Sequence, residues 1–296
     1  MSDPRLLSPV PELLSPTRIS CNRILFATDF SKYSQAALPY ALSIAKKYGS
    51  TLYVAHVLSD ARWPSLGQGP MGTAKEEAEK AMAKVIASLP KVPHEARLLM
   101  GDVWLALSEL IESEKMELVV LGSHGHSGIC RLVLGSVAEQ VFRRAPCPVL
   151  TVGPSDSVHS KNVAEIHEIL YATDLTPESL AAAPYAVSLA EENQAHLSLL
   201  YVIEHEEPGT TPDRFEHQLY ALIPYRTSLK CQPTALVKYG SPAKQIVDCA
   251  RGKAADLIVL GLRSIEHQPV AATHAPWDKA QTIVTQSHCP VLTVRA

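Results

Sequence analysis

Five short apolar runs, residues 23–28, 51–58, 95–100, 117–122 and 148–152, recur through the first half of the chain. Gly, Pro and Asp bound them, which is the punctuation of buried strands. Between them apolar residues return at helical spacing over 33–47, 73–89, 103–114 and 136–145. Strands that alternate with helices are joined by right-handed crossovers, and these build a parallel sheet covered on both faces. The pattern predicts a five-stranded, doubly wound α/β domain.

The second half repeats the first. Residues 23–58 and 168–203 align without a gap and share 15 of 36 positions. MELVVLG at 116–122 returns as ADLIVLG at 255–261, and CPVLTV occurs at both 147–152 and 289–294. Solenoid repeats run about 20–50 residues, so a period of half the chain is a duplicated domain. The polar, aperiodic stretch 154–167 reads as the linker between domains at 21–153 and 168–296. Residues 1–20, with LLSP at 6–9 and again at 13–16, read as a flexible Pro-rich tail, a partner-binding Ser-Pro motif being the other reading. The identical CPVLTV segments would be edge strands, and an open apolar edge invites pairing. Antiparallel pairing of the two would make the chain an intramolecular pseudo-dimer.

Composition narrows the field. The chain's 296 residues suit two domains of ordinary size. Twenty-seven Lys and Arg against 30 Asp and Glu leave a net charge of −3, so no basic field favours nucleic acid or an anionic membrane. No apolar run approaches the ~20 residues that span a bilayer. Prolines at 4, 9, 11 and 16 interrupt any signal-peptide core, and the six cysteines form no C-x-x-C pair. A cytoplasmic protein with reduced thiols is expected.

Doubly wound sheets bind ligands beyond the carboxyl ends of their strands, where the strand order reverses. Here that means after strands one and four. Strand one runs into Ala27-Thr28-Asp29-Phe30-Ser31, and strand four into Gly122-Ser123-His124-Gly125-His126-Ser127-Gly128, followed by Gly135-Ser136. Glycine-rich backbone can crowd N–H groups around an anion. Ser136, with Glu139 three residues on, would form a capping box at a helix start aimed at the loop. Alternatively the glycines only turn the chain and Ser136 only caps a helix.

This arrangement resembles the universal stress protein family. The likeness rests on the ATDFS segment, on His56-Val57 ending strand two, and on the spacing Gly122-x2-Gly125-x9-Gly135-Ser136, the family's ATP-binding signature, and it covers both halves. It implies ATP, with Mg near Asp29, and no protein metal ligands beyond that. Ala27, Thr28, Asp29 and Val57 would flank adenine and ribose. Leu121, Gly122, Ser123 and His124 would line the nucleotide, while Gly125, Gly135, Ser136 and Val137 hold ribose and phosphates. His126 stands where many relatives carry Arg or Lys. The resemblance also implies that single-domain members pair through the last strand, and a homodimer of the two-domain chain is a further expectation.

The second half keeps Asp174 and Gly261 but then reads LRSIEHQPVAATHAPWDKA. Spacing to CPVLTV sets Trp277 and Asp278 at the positions of Gly135 and Ser136. Asp278, with Gln281, would cap the helix and set a carboxylate where a phosphate needs a donor. The second domain therefore reads as degenerate. Gly67-Gln68-Gly69-Pro70-Met71-Gly72 matches a dinucleotide fingerprint but lacks its strand-to-turn junction. His124, His126 and Cys130 share one loop without a fourth metal ligand and read as loop residues, Cys130 as a packed thiol. Three function classes follow: a stress-response regulator that binds ATP in its first domain and contacts unidentified protein partners, a slow ATP hydrolase or nucleotidyl-transferring enzyme, and a ligand-independent scaffold. No activating base is identifiable, so no catalytic residue is assigned.

Overall fold

The computed structural model describes residues 18–59, 69–124, 134–153, 165–205, 211–224, 227–230, 232–262 and 274–295, with backbone alone at 69–72 and 274–278. In the first lobe the order is β1 (Arg23–Ala27), α1 (Lys32–Gln35), α2 (Leu38–Tyr48), β2 (Thr51–Leu58), α3 (Gly69–Ser88), β3 (His94–Met100), α4 (Val103–Ser113), β4 (Leu118–Gly122), α5 (Ser136–Arg144) and β5 (Val149–Val152). The second lobe repeats it as β6 (Glu168–Ala172), α6 (Pro177–Leu180), α7 (Ala183–Asn193), β7 (His196–Ile203), α8 (Pro212–Ala221), β8 (Thr234–Tyr239), α9 (Pro242–Gly252), β9 (Leu257–Leu262), α10 (His274–Gln286) and β10 (Val291–Arg295).

One correction concerns the helix expected at 33–47, which is two helices. Pro39 lies in the first turn of α2, where its missing N–H costs nothing but where a helix running through from α1 would need that donor. Pro184 does the same in α7. The G-x-G-x-x-G stretch also resolves: α3 starts at Gly69, so its last four residues are helical rather than a turn after a strand.

Among the described residues ten strands form one sheet in the order β3-β2-β1-β4-β5-β10-β9-β6-β7-β8. Within each lobe every pairing is parallel, and the order reverses between β1 and β4 and between β6 and β9. One face carries α2, α3, α7 and α8 over Ile24, Phe26, Tyr171 and Val259; the other carries α4, α5, α9 and α10 over Leu25, Val119, Leu170 and Ile258. Each hydrophobic layer runs unbroken through both lobes.

The seam is the antiparallel pair β5–β10, with Leu150 opposite Leu292 at its centre and Val149 opposite Thr293. Thr293 Oγ1 adds a hydrogen bond to the Val149 carbonyl at 3.2 Å. Beside the seam, the Tyr48 and Ser188 hydroxyls meet at 2.9 Å, tying α2 to α7, and Arg18, ahead of β1, reaches Glu192 of α7 through Nε at 2.7 Å. The expected pseudo-dimer is thus present. An isolated fragment of residues 1–153 would leave β5 as an open apolar edge, so it is expected to self-associate in sedimentation; a well-folded, strictly monomeric fragment would contradict this.

Candidate functional site

At the switch point the chain leaves β1 through a tight turn. Thr28 N–H still bonds the Ala55 carbonyl at 2.9 Å, and the buried Thr28 hydroxyl meets the Ser34 hydroxyl at 2.9 Å while accepting from Phe30 N–H at 3.0 Å. Phe30 has φ +63°, a left-handed conformation costly for a bulky residue. Asp29 Oδ1 accepts from Ser31 N–H at 3.0 Å, which orients a half-buried carboxylate at the strand end. The same turn recurs in the second lobe: Thr173 meets Ser179 at 2.8 Å, Leu175 has φ +61°, and Asp174 Oδ1 accepts from Thr176 N–H and Oγ1.

His56, near the end of β2 beside Val57, packs against this turn with its ring tilted to that of Phe30. Its Nδ1 is 2.8 Å from the Thr28 carbonyl and its ring centroid 4.3 Å from that of Phe30. A carbonyl only accepts, so Nδ1 carries the hydrogen and Nε2 of the neutral ring is an acceptor.

Across the switch point β4 ends in Leu121 and Gly122, both buried. A Cβ on Gly122 would lie 2.7 Å from the Tyr33 carbonyl oxygen and 3.1 Å from Ser34 Cα. Glycine is needed there so that α1 can lie on the strand. Gly261 stands in the same relation to Ser179, at 2.4 Å. The shared strand-four glycine is therefore a packing residue in both lobes. Ser123 continues the ladder through N–H to the Val152 carbonyl at 2.8 Å, and its hydroxyl meets Nδ1 of the buried His124 at 2.8 Å.

The start of α5 corrects one expectation. Gly135, with φ −62° and ψ 148°, is the N-cap, and no side chain caps the helix; Ser136 is its first residue. Glu139 does not reach back, since its carboxylate pairs with Arg143 at 3.1 Å. Gly135 N–H is taken by the Ser123 carbonyl at 2.9 Å. The donors that the helix geometry leaves over belong to Ser136, Val137 and Ala138 at the helix start, which the Gly135–Ser123 hydrogen bond sets at the end of β4. Gly125, His126 and Cys130, with the tail before residue 18 and most of the linker (154–164), lie outside the described residues.

In the second lobe α10 begins at His274, although spacing to CPVLTV pairs Asp278 with Ser136. Asp278 is thus the fifth helical residue, not a cap, and the helix start is displaced by about 6 Å at 1.5 Å per residue. Other groups meet near this crevice: Lys279 pairs with Glu204 at 2.7 Å, and Tyr201, at the position of His56, stacks on Phe215 with centroids 4.1 Å apart.

The sequence profile of the universal stress protein family matches residues 21–153 and again 165–295. The chain belongs to the universal stress protein family. A universal stress protein of Methanocaldococcus jannaschii is 34% identical over 139 residues, 44% of this chain and 81% of that protein. A solved universal stress protein from Archaeoglobus fulgidus, 21% identical, covers 93% of this chain and 96% of its own at a TM-score of 0.72, which is a match of fold across both lobes. Another solved universal stress protein, in complex with cAMP, is 30% identical over 46% of this chain and all of its own, at a TM-score of 0.35.

Tyr33 and Ser34 escaped the sequence reading, although a signal was present: Thr28 and Ser34 recur as Thr173 and Ser179, six apart in both repeats. Among the described residues no three metal-ligating side chains converge, and no helix is long and apolar enough to cross a membrane. Cys21, Cys147, Cys249 and Cys289 are free thiols, and burial pushes Cys21 and Cys147 up to about 12 and Cys289 to about 11. Such thiols are inert at neutral pH.

Proposed function

We propose that the first lobe binds ATP, with Mg, as the ligand of a cytoplasmic stress-response regulator whose partner contacts depend on the bound nucleotide. The observation that carries this reading is the uncapped start of α5, tied to the end of β4 by the Gly135–Ser123 hydrogen bond, while the half-buried Asp29 carboxylate follows β1, the strand paired with β4. Backbone donors at a helix start suit phosphate oxygens, and a carboxylate suits ribose hydroxyls or metal-bound water. The residues present fit the group: Ala27, Thr28, Asp29 and Val57 would hold adenine and ribose, and Gly135, Ser136 and Val137 the phosphates. Free thiols favour a reducing compartment.

Gly135 provides the test. Its extended φ and ψ are open to any residue, so the backbone does not demand glycine there. Its missing Cβ matters if a ligand approaches closely. ATP at about 100 times its Kd should stabilise the wild-type chain by ~2.7 kcal/mol. Gly135→Val is expected to fold normally and to lose most of that thermal shift with Mg-ATP. An unchanged shift would place the phosphates elsewhere.

A further inference from the structure

At the foot of the second lobe, the end of the strands opposite its crevice, four polar side chains from three neighbouring strands meet. Glu168 opens β6, His196 and Ser198 stand two apart on β7, and Thr234 opens β8. Alternation along the strands puts them on the face of Leu170, Leu200 and Leu236, beneath α9. His196 Nδ1 is 2.8 Å from Glu168 Oε2, and its Nε2 is 3.0 Å from Thr234 Oγ1. The second Glu168 oxygen accepts the Ser198 hydroxyl at 2.6 Å.

In the neutral form of His196 the hydrogens in this chain have one consistent order. A carboxylate only accepts, so the single ring hydrogen is on Nδ1, Nε2 presents its lone pair, and the Thr234 hydroxyl donates to it. Hydroxyl, imidazole and carboxylate in that sequence, each within hydrogen-bond reach, are the arrangement that activates a nucleophile. Ser198 in turn fixes the carboxylate. The first lobe shows that the fold has no need of this chain: Arg23, Thr51 and Tyr53 occupy the repeat positions of Glu168, His196 and Ser198, and Glu95 is set opposite Tyr53 as Thr234 is opposite Ser198. That lobe fills its foot with Arg97, 2.5 Å from Glu95 and 3.2 Å from Glu114. Access is available as well. β8 is the outer strand of the sheet, and the Glu168 and His196 side chains keep 17% and 27% of their surface exposed.

We propose that Thr234 is an acyl-acceptor site, a nucleophile activated by His196 and positioned Glu168, which takes the acyl group from small activated donors of the acyl phosphate or thioester class. Thr234 Oγ1 attacks the acyl carbonyl and its proton passes to His196 Nε2. The carbonyl's bond to the leaving oxygen or sulfur breaks, and the proton follows the leaving group. An O-acyl-threonine ester remains, and nothing is oxidised or reduced. At an open sheet edge water meets the developing oxyanion, so the donors must be small and activated.

The test exposes the full-length chain to p-nitrophenyl acetate and, in separate arms, to acetyl phosphate and to a small acetyl thioester. Cysteines are then alkylated, and the tryptic peptide 231–238, whose one hydroxyl side chain is Thr234, is fragmented. The expected result is acetyl on Thr234 in excess of Thr51 and other half-exposed hydroxyls, retained on the same peptide in the Thr234→Ser variant and slowed at least about a hundredfold in His196→Gln. The arm that labels identifies the donor class. A purely structural network predicts the opposite: Thr234 labelled no faster than Thr51 in the wild-type chain, or equally fast in a His196→Gln variant of unchanged thermal unfolding, and either outcome overturns the proposal. The wild-type comparison with Thr51 decides the matter even where the variant fails to fold.

Discussion

Gly261→Ala is expected to be the most damaging single methyl in the second lobe. The added Cβ would sit 2.4 Å from Ser179 Cα and from its carbonyl oxygen, and 2.7 Å from the Glu178 carbonyl. These are backbone atoms, so no side chain can swing away. α6 would have to lift, and it is held by Tyr171 O–H to the Ser179 carbonyl at 2.9 Å and by the Thr173–Ser179 pair. Overpacking together with the loss of a buried hydrogen bond costs about 3 kcal/mol. For a chain of this size that lowers Tm by about 6–12 °C. The equivalent Gly122→Ala meets its nearest atom at 2.7 Å rather than 2.4 Å and is expected to cost less. Thermal melts of the two variants check the order; a Gly261→Ala chain that melts with wild type would mean that α6 is not held against β9.

Calorimetric titration with Mg-ATP is expected to give one site per chain. Both lobes keep the strand-one aspartate in the same turn, so the aspartates alone would predict two. The helix starts differ. α5 begins uncapped at Ser136, whereas α10 begins four positions earlier in the repeat, which moves its leftover donors about 6 Å from the equivalent place. Each lost hydrogen bond to a charged oxygen removes about 1.5–3 kcal/mol, so two such losses weaken binding at least about a hundredfold. Asp29→Ala should then lower affinity about tenfold or more, and Asp174→Ala should leave it within about twofold. A stoichiometry of two, or equal losses from both variants, would remove the division of labour between the lobes.

The sheet was legible in the sequence because its strands are buried on both faces and read as apolar runs; β2 was placed at 51–58 to the residue. The seam was legible because CPVLTV occurs twice. Helix starts were harder, since a start depends on where donors are left over rather than on apolar spacing. Ser136 has the composition of a cap, yet Gly135 takes that place. Pro276 belongs in a first turn, and that fact, read alone, would have moved the start of α10 ahead of Asp278. The foot of the second lobe was not legible at all. Glu168, His196 and Thr234 are brought together by the register of three strands, and no spacing along the chain announces it.

Because β5 and β10 run antiparallel, strand polarity reverses at the seam, and each rim of the sheet joins the carboxyl ends of one lobe to the amino ends of the other. In a dimer of identical chains the two rims would be copies, and any substitution would appear on both. Joining the halves in one polypeptide removes that symmetry constraint. One rim can specialise in the crevice of the first lobe together with the Glu168–His196–Thr234 foot of the second, while the other carries the Lys279–Glu204 pair and the Arg97 foot. A partner that approaches along one rim therefore meets a different surface from a partner on the other, so the molecule has a front and a back that a symmetric dimer lacks.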